Sequence, residues 1–217
     1  MLLLFDIDGT LIDTGGAGLT SLSETARELY GGEGPPLDLA GSTDGGVLLG
    51  IFSHFNVEPE PGEFERFYAH YEEKLRDNLA SGRFDEGQVL PGVPELLAQL
   101  AESDHSLGLL TGNTAAGAAI KTAHYGLAHY FPFGAYGDDH HDRNKLGPIA
   151  LERAEKSIGR PFSPADTLII GDTPKDIACA RACGAKVAAV ATGKFTRAEL
   201  AAYEPDILLD NLLGWQP

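Results

Sequence analysis

Six short apolar runs recur along the chain: LLLFDID from Leu2, SLGLLTG from Ser106, FPFGAYG from Phe131, TLIIGDT from Thr167, AKVAAVATG from Ala185 and PDILLDN from Pro205. Between them lie VPELLAQLAE, TAAGAAIKTAHYGL, LGPIALERAEKSIG and PKDIACARACG, each with apolar residues at helical spacing and several closed by glycine. Strands of nearly continuous Leu, Ile, Val and Ala are buried on both faces, so the alternation predicts an α/β fold, a Rossmann-like parallel sheet with helices on each side. In such sheets ligands sit beyond the carboxyl ends of the strands.

One stretch breaks the alternation. From about Gly15 to Gln88, three amphipathic patterns (AGLTSLSETARELYG, DGGVLLGIFSHF and EFERFYAHYEEKLRDNLA) follow one another without a convincing strand, joined by Gly/Pro-rich segments. This reads as an all-helical insertion, residues 15–87, in a core made of residues 1–14 and 88–217. Because it leaves directly after the first strand, it is expected to face that strand's carboxyl end and to act as a lid. The GGAG run that opens it falls short of a dinucleotide fingerprint, since Ser21 stands where a third glycine would be, and reads as a hinge. Phe64, Phe67, Tyr68 and Tyr71 form a helical stripe expected to be core.

The ends of the predicted strands carry the chemistry. Asp6 and Asp8 close the first run, Thr111, Gly112 and Asn113 the second, and Asp172 with Asp176 follows the fourth. Lys145 stands near the start of the helix after the third run, with Arg143 close by. Unpaired carboxylates gathered in one crevice repel by several kcal/mol at an effective dielectric of about 20 and about 4 Å separation. A hard divalent cation with oxygen ligands removes that repulsion, which points to Mg²⁺ held by Asp6, Asp8 and Asp172. Asp8, farther out than Asp6, is placed to exchange protons with a leaving group. Thr10 can bond back to a carboxylate, Thr111, Gly112 and Asn113 offer donors where a helix starts, and Lys145 supplies positive charge for a phosphate. Asp176 is expected to orient Lys145 or a metal-bound water. The GDDHHD run, Asp138 to Asp142, reads as a solvated loop in preference to a second metal site.

Composition narrows the partners. The 217 residues carry a formal net charge of −16, which repels phosphate backbones and anionic lipid and argues against nucleic acid or a membrane surface. No run is long enough to span a bilayer, and Cys179 and Cys183, four apart in a predicted helix, read as small buried residues, so a reducing, cytoplasmic setting is expected.

These residues resemble the haloacid dehalogenase superfamily and, within it, the phosphatase branch. Asp6 to Thr10 match the Asp-x-Asp-Gly-Thr motif, Thr111 the second, Lys145 the basic third, and Gly171, Asp172 and Asp176 the fourth. The insertion is similar to the helical cap of that family, and its GSTD segment to a stretch of phosphoglycolate-phosphatase-like members. The resemblance implies a phosphoric monoester hydrolase acting on a small phosphorylated metabolite: Asp6 attacks phosphorus to give an aspartyl phosphate, and Asp8 serves as acid and then base. A sugar-phosphate mutase on the same fold is the alternative; a non-enzymatic receiver domain has no use for the helical insertion or for Asp8, and dehalogenation has none for a second acid.

Overall fold

The computed structural model describes residues 1–217. Six parallel strands form one sheet: β1 (Leu2–Phe5), β4 (Ser106–Leu110), β5 (Gly134–Ala135), β6 (Thr167–Gly171), β7 (Lys186–Val190) and β8 (Ile207–Leu209), in the order β5-β4-β1-β6-β7-β8. β1 is central, with Phe5 level with both Leu109 and Ile170. Alternation along each strand divides its side chains between two cores. Leu3, Phe5, Leu109 and Ile170 face α4 (Val93–Ala101), while Leu2, Leu4 and Ile169 face α6 (Leu146–Ile158) and α7 (Pro174–Cys183). Burial on both faces is what the continuous apolar runs require.

Three helices, α1 (Ala17–Tyr30), α2 (Asp44–Phe55) and α3 (Pro61–Ala80), occur between β1 and β4 and enclose a third apolar cluster that includes Leu22, Ile51, Phe52, Phe67 and Tyr71. That cluster rests partly on Ile120 of α5 (Ala115–His124). Where the chain enters and leaves this helical layer, β2 (Ile12–Asp13) and β3 (Gln88–Val89) pair antiparallel. Two-residue strands are too short to leave a periodic signal, so the sequence pattern does not reveal them. α8 (Arg197–Ala201) completes the helices, and none is long and apolar enough to cross a membrane.

Candidate active site

Register alone brings the key residues together. Asp6 follows β1, Thr111 follows β4 and Asp172 follows β6, so three neighbouring strands end in a polar group at almost one level. The Asp6 N–H still donates to the Ile170 carbonyl at 2.9 Å, which holds the nucleophile candidate on the sheet's hydrogen-bond ladder. Gly9 then turns the chain at φ +79°, and a Cβ there would run into the Asp172 carboxylate. Thr10 donates to the other oxygen of Asp172 at 3.2 Å.

Asp6, Asp172 and Asp176 form one buried cluster, with an oxygen from each within 4.8 Å of the others. A single cation lies against the cluster: the Arg143 guanidinium contacts Asp176 and lies 3.3 Å from Asp6, and it makes no ion pair with Asp172. Asp176 is saturated, since it also accepts from the Thr173 N–H at 3.0 Å and hydroxyl at 2.7 Å in a capping box at the start of α7. Asp6 and Asp172 are not. Burial pushes the Asp6 carboxyl up to about 6, against the pull of Arg143, the Ile7 N–H and the Thr111 hydroxyl. Asp172 is pushed well above the usual carboxylate range by burial, then by Asp176 and Asp6. A divalent metal with oxygen ligands fits this donor set, because it supplies the charge that one arginine cannot.

Asp8 belongs to a different group. Its two oxygens accept from Lys121 Nζ at 2.8 and 2.7 Å and one of them from Asn113 Nδ2 at 2.8 Å. Lys121 also donates to Asn113 Oδ1 at 2.6 Å, and Asn113 to Thr111 Oγ1 at 2.9 Å, so the three residues lock one another. Asp8 thus reaches no oxygen of the acidic cluster, which corrects the expectation that its side chain helps hold the metal; the third acid within reach is Asp176.

The third-motif basic residue is corrected as well. Lys145 is exposed and makes no ion pair, whereas Arg143, two residues earlier in the 3₁₀ turn Arg143–Lys145, is buried against Asp6 and Asp176. Successive residues of such a tight turn point about 120° apart, so a shift of two carries a side chain from the crevice to solvent. Lys121 is the functional residue that the motifs miss, although a signal exists: Gly117, Ala118, Lys121 and Thr122 form the buried stripe of α5, and a lysine in such a stripe requires a buried partner. In the 138–142 run, Asp138 accepts from the Ala115 N–H at 3.0 Å, Asp139 pairs with Arg153 at 2.5 Å and Asp142 caps Asn144 at 3.0 Å. Each acid thus has its own partner and the three do not converge.

The helical layer closes over these groups and leaves a cavity of about 480 Å³. Gly112, expected to offer a donor for phosphate, also makes room for the helical layer, since a Cβ there would strike the Ser42 carbonyl. The close approach lets the Asp44 N–H donate to the Gly112 carbonyl at 2.6 Å and the Asp44 carboxylate accept from the Thr114 N–H at 2.9 Å. Burial pushes Asp44 up to about 6, with Lys121 pulling the other way.

Comparison with known proteins agrees with this geometry. A sequence profile described as haloacid dehalogenase-like hydrolase matches residues 3–190. A phosphoglycolate phosphatase from Nitrosococcus oceani is 25% identical over 222 residues, covering 98% of this chain and 93% of its own. An N-acetylmuramic acid 6-phosphate phosphatase from Pseudomonas aeruginosa is 29% identical over 195 residues, covering 88% and 81%. Among solved structures, CbbY from Rhodobacter sphaeroides in complex with phosphate superposes with a TM-score of 0.76 at 20% identity, over 98% of this chain and 95% of that one, a likeness of fold.

Proposed function

The chain belongs to the haloacid dehalogenase-like hydrolases, and from that premise we propose that it is a cytoplasmic, Mg²⁺-dependent phosphatase that hydrolyses a small phosphate monoester through an aspartyl phosphate. The observation that carries the reading is the pairing of two unlike carboxylates at the end of β1. Asp6 stands in a buried, cation-poor cluster, and Asp8 stands beside it on a lysine.

Asp6 and Asp172 would hold the ion, which when bound supplies positive charge against the phosphoryl oxygens. The Asp6 oxygen attacks phosphorus as the ester oxygen leaves, so one P–O bond forms while another breaks. Arg143 keeps the Asp6 carboxylate aimed from behind, and Asp176, saturated by Thr173, keeps Arg143 in place. Thr111 and Asn113 hold donors at the start of α5, where phosphate oxygens are bound readily. Lys121 contacts Asp8 beside the cavity; turning toward the phosphate would leave Asp8 without its cation, so that Asp8 takes up a proton from solvent and hands it to the leaving alcohol. Asp8 then takes a proton from the water that cleaves the acyl phosphate. Residues 15–87 serve as a lid over the core, residues 1–14 and 88–217, and keep bulk water from the intermediate.

Rapid-quench mixing with p-nitrophenyl phosphate tests the reading. Protein-bound, acid-stable phosphate should accumulate in Asp8→Asn and be absent from Asp6→Asn. Phosphate release without any bound phosphate in either variant would point to direct attack by water.

A further inference from the structure

We infer that the alcohol half of the substrate carries no second anionic group and presents an apolar face, so that the site selects esters whose phosphate is their one anionic group over carboxylated or doubly phosphorylated ones. The inference rests on the phosphatase reading and deepens it, from the lining of the 480 Å³ cavity. Six aspartates line that cavity (Asp6, Asp8, Asp13, Asp38, Asp44 and Asp172) against three cations, Lys121, Arg143 and Lys194.

Each of the three cations already faces a carboxylate, the two inner ones in buried or half-buried pairs and Lys194 in an exposed one. Lys121 is bound to Asp8 and Asn113, Arg143 to Asp6 and Asp176, and Lys194 to Asp38 at 3.2 Å on the rim. The helical layer, which faces the leaving group, supplies no cation at all. It supplies Leu19, Leu22, Leu37, Leu39, Ala40 and Tyr71 together with Asp38 and Asp44. Leu19 lines the cavity and stands 43% exposed, so a partly apolar leaving group would remove it from water.

Electrostatics and burial therefore act in one direction. A divalent ion at Asp6 and Asp172 would offset two of the three excess negative charges, and the phosphate itself adds two more. A carboxylate or a second phosphate on the leaving group would enter that field with no unpaired cation within the lining to meet it, while a neutral, partly apolar group covers the leucines. The N–H groups at the start of α1, near Gly16 and Gly18, can serve its hydroxyl or carbonyl oxygens. A bisphosphate, which a mutase must hold, is disfavoured for the same reason.

A matched pair of esters isolates the charge: 2-phosphoglycolate and its amide, of equal size and differing by one carboxylate. We expect kcat/KM for the amide to exceed that for 2-phosphoglycolate by about tenfold or more, the scale of one unrelieved like-charge contact. Leu19→Lys, a change at an exposed position that the fold tolerates, should narrow the ratio by raising turnover of the acid. Equal or inverted preference in the unaltered enzyme, or a ratio unmoved by Leu19→Lys, would overturn the inference. p-Nitrophenyl phosphate, run alongside, separates the two levels: if neither it nor either ester is hydrolysed, the phosphatase reading fails and the inference with it; if it is hydrolysed and the acid is preferred, only the inference fails.

Discussion

Two charge clusters meet at the end of β1 and are built on opposite plans. Asp6, Asp172 and Asp176 have one cation against them, Arg143, and all four residues are buried. Asp8 has a cation of its own, Lys121, and its side chain is 42% exposed. The first cluster is short of positive charge, so burial drives the Asp6 and Asp172 carboxyls upward, and a divalent metal would complete it. The second is neutral as it stands, and its carboxylate is open to the cavity. One residue of spacing on a strand, followed by the Gly9 turn, is enough to place two chemically identical side chains in surroundings that suit a metal-bound nucleophile and a proton carrier.

Substitution at Asp6 should have the greatest consequence. Asp6→Asn removes the nucleophile and one charge from the metal cluster, and turnover should fall by about 10⁴-fold or more with every substrate, measured as steady-state phosphate release. Retention of more than a few per cent of activity would make Asp6 structural. The second cluster should be next in size. Lys121→Met keeps the buried aliphatic stem but strips Asp8 of its ammonium, and should lower kcat by about 10²- to 10³-fold, the usual cost of one preorganised charged donor. If Lys121 serves Asp8, the loss should be larger for an alkyl phosphate than for p-nitrophenyl phosphate, whose leaving group departs without a proton. Equal losses would restrict Lys121 to the phosphate.

How far each cluster is legible in the sequence follows from how local it is. Asp6, Asp8, Thr10, Thr111, Asp172 and Asp176 stand at strand ends or in the first turn of a helix, where apolar runs and caps announce them, and the parallel sheet then converges them with no further information. Their partners are harder to find. Lys121 lies in the last turn of α5, where a lysine ordinarily answers the helix dipole in solvent, and only the fold turns that stripe toward Asp8. The choice between Arg143 and Lys145 depends on the phase of a three-residue 3₁₀ turn, which no apolar period fixes. Nor does the sequence show that Gly112 is needed for the close approach of Ser42, seventy residues earlier in the chain.

Asp44 lies between the clusters and the helical layer, and its burial makes stability depend on pH. Its carboxyl rises from 3.8 to about 6, chiefly by burial. A raised carboxyl binds its proton more tightly in the folded state, so folding stability falls as pH climbs from about 4 to about 6 and stays lower above. The full effect of that shift is on the order of 3 kcal/mol. Asp6 and Asp172 act in the same direction in metal-free protein. Asp44→Asn removes one contributor while keeping an acceptor for the Thr114 N–H. In chelator, the drop in melting temperature between pH 4.5 and pH 7.5 should therefore be smaller for Asp44→Asn than for the unaltered chain. An unchanged drop would mean that Asp44 is solvated in the folded protein.

Lys145, close to the first cluster in sequence, should matter least. Lys145 lies in the motif position that sequence favours, but its side chain is exposed and pairs with nothing, while Arg143 holds Asp176 and Asp6 from inside. Lys145→Ala should leave kcat/KM within about twofold and stability within about 0.5 kcal/mol, as for an ordinary surface change. Arg143→Ala cannot be as mild. It leaves Asp176 buried beneath Asp6 and Asp172 with no cation, a loss of about 3–5 kcal/mol for a broken buried pair, and it also removes the group that aims Asp6. Arg143→Lys separates stability from aim: Nη2 alone meets both carboxylates, so an ammonium can supply the charge, but it lacks the second donor, Nη1, that reaches the Gly41 carbonyl at 3.4 Å and fixes the group in place. That variant should fold yet turn over slowly, with added Mg²⁺ restoring part of its thermal stability by filling the charge deficit. A Lys145→Ala enzyme crippled in kcat beside an active Arg143→Lys enzyme would reverse the assignment, and would require the turn before α6 to rewind when substrate binds.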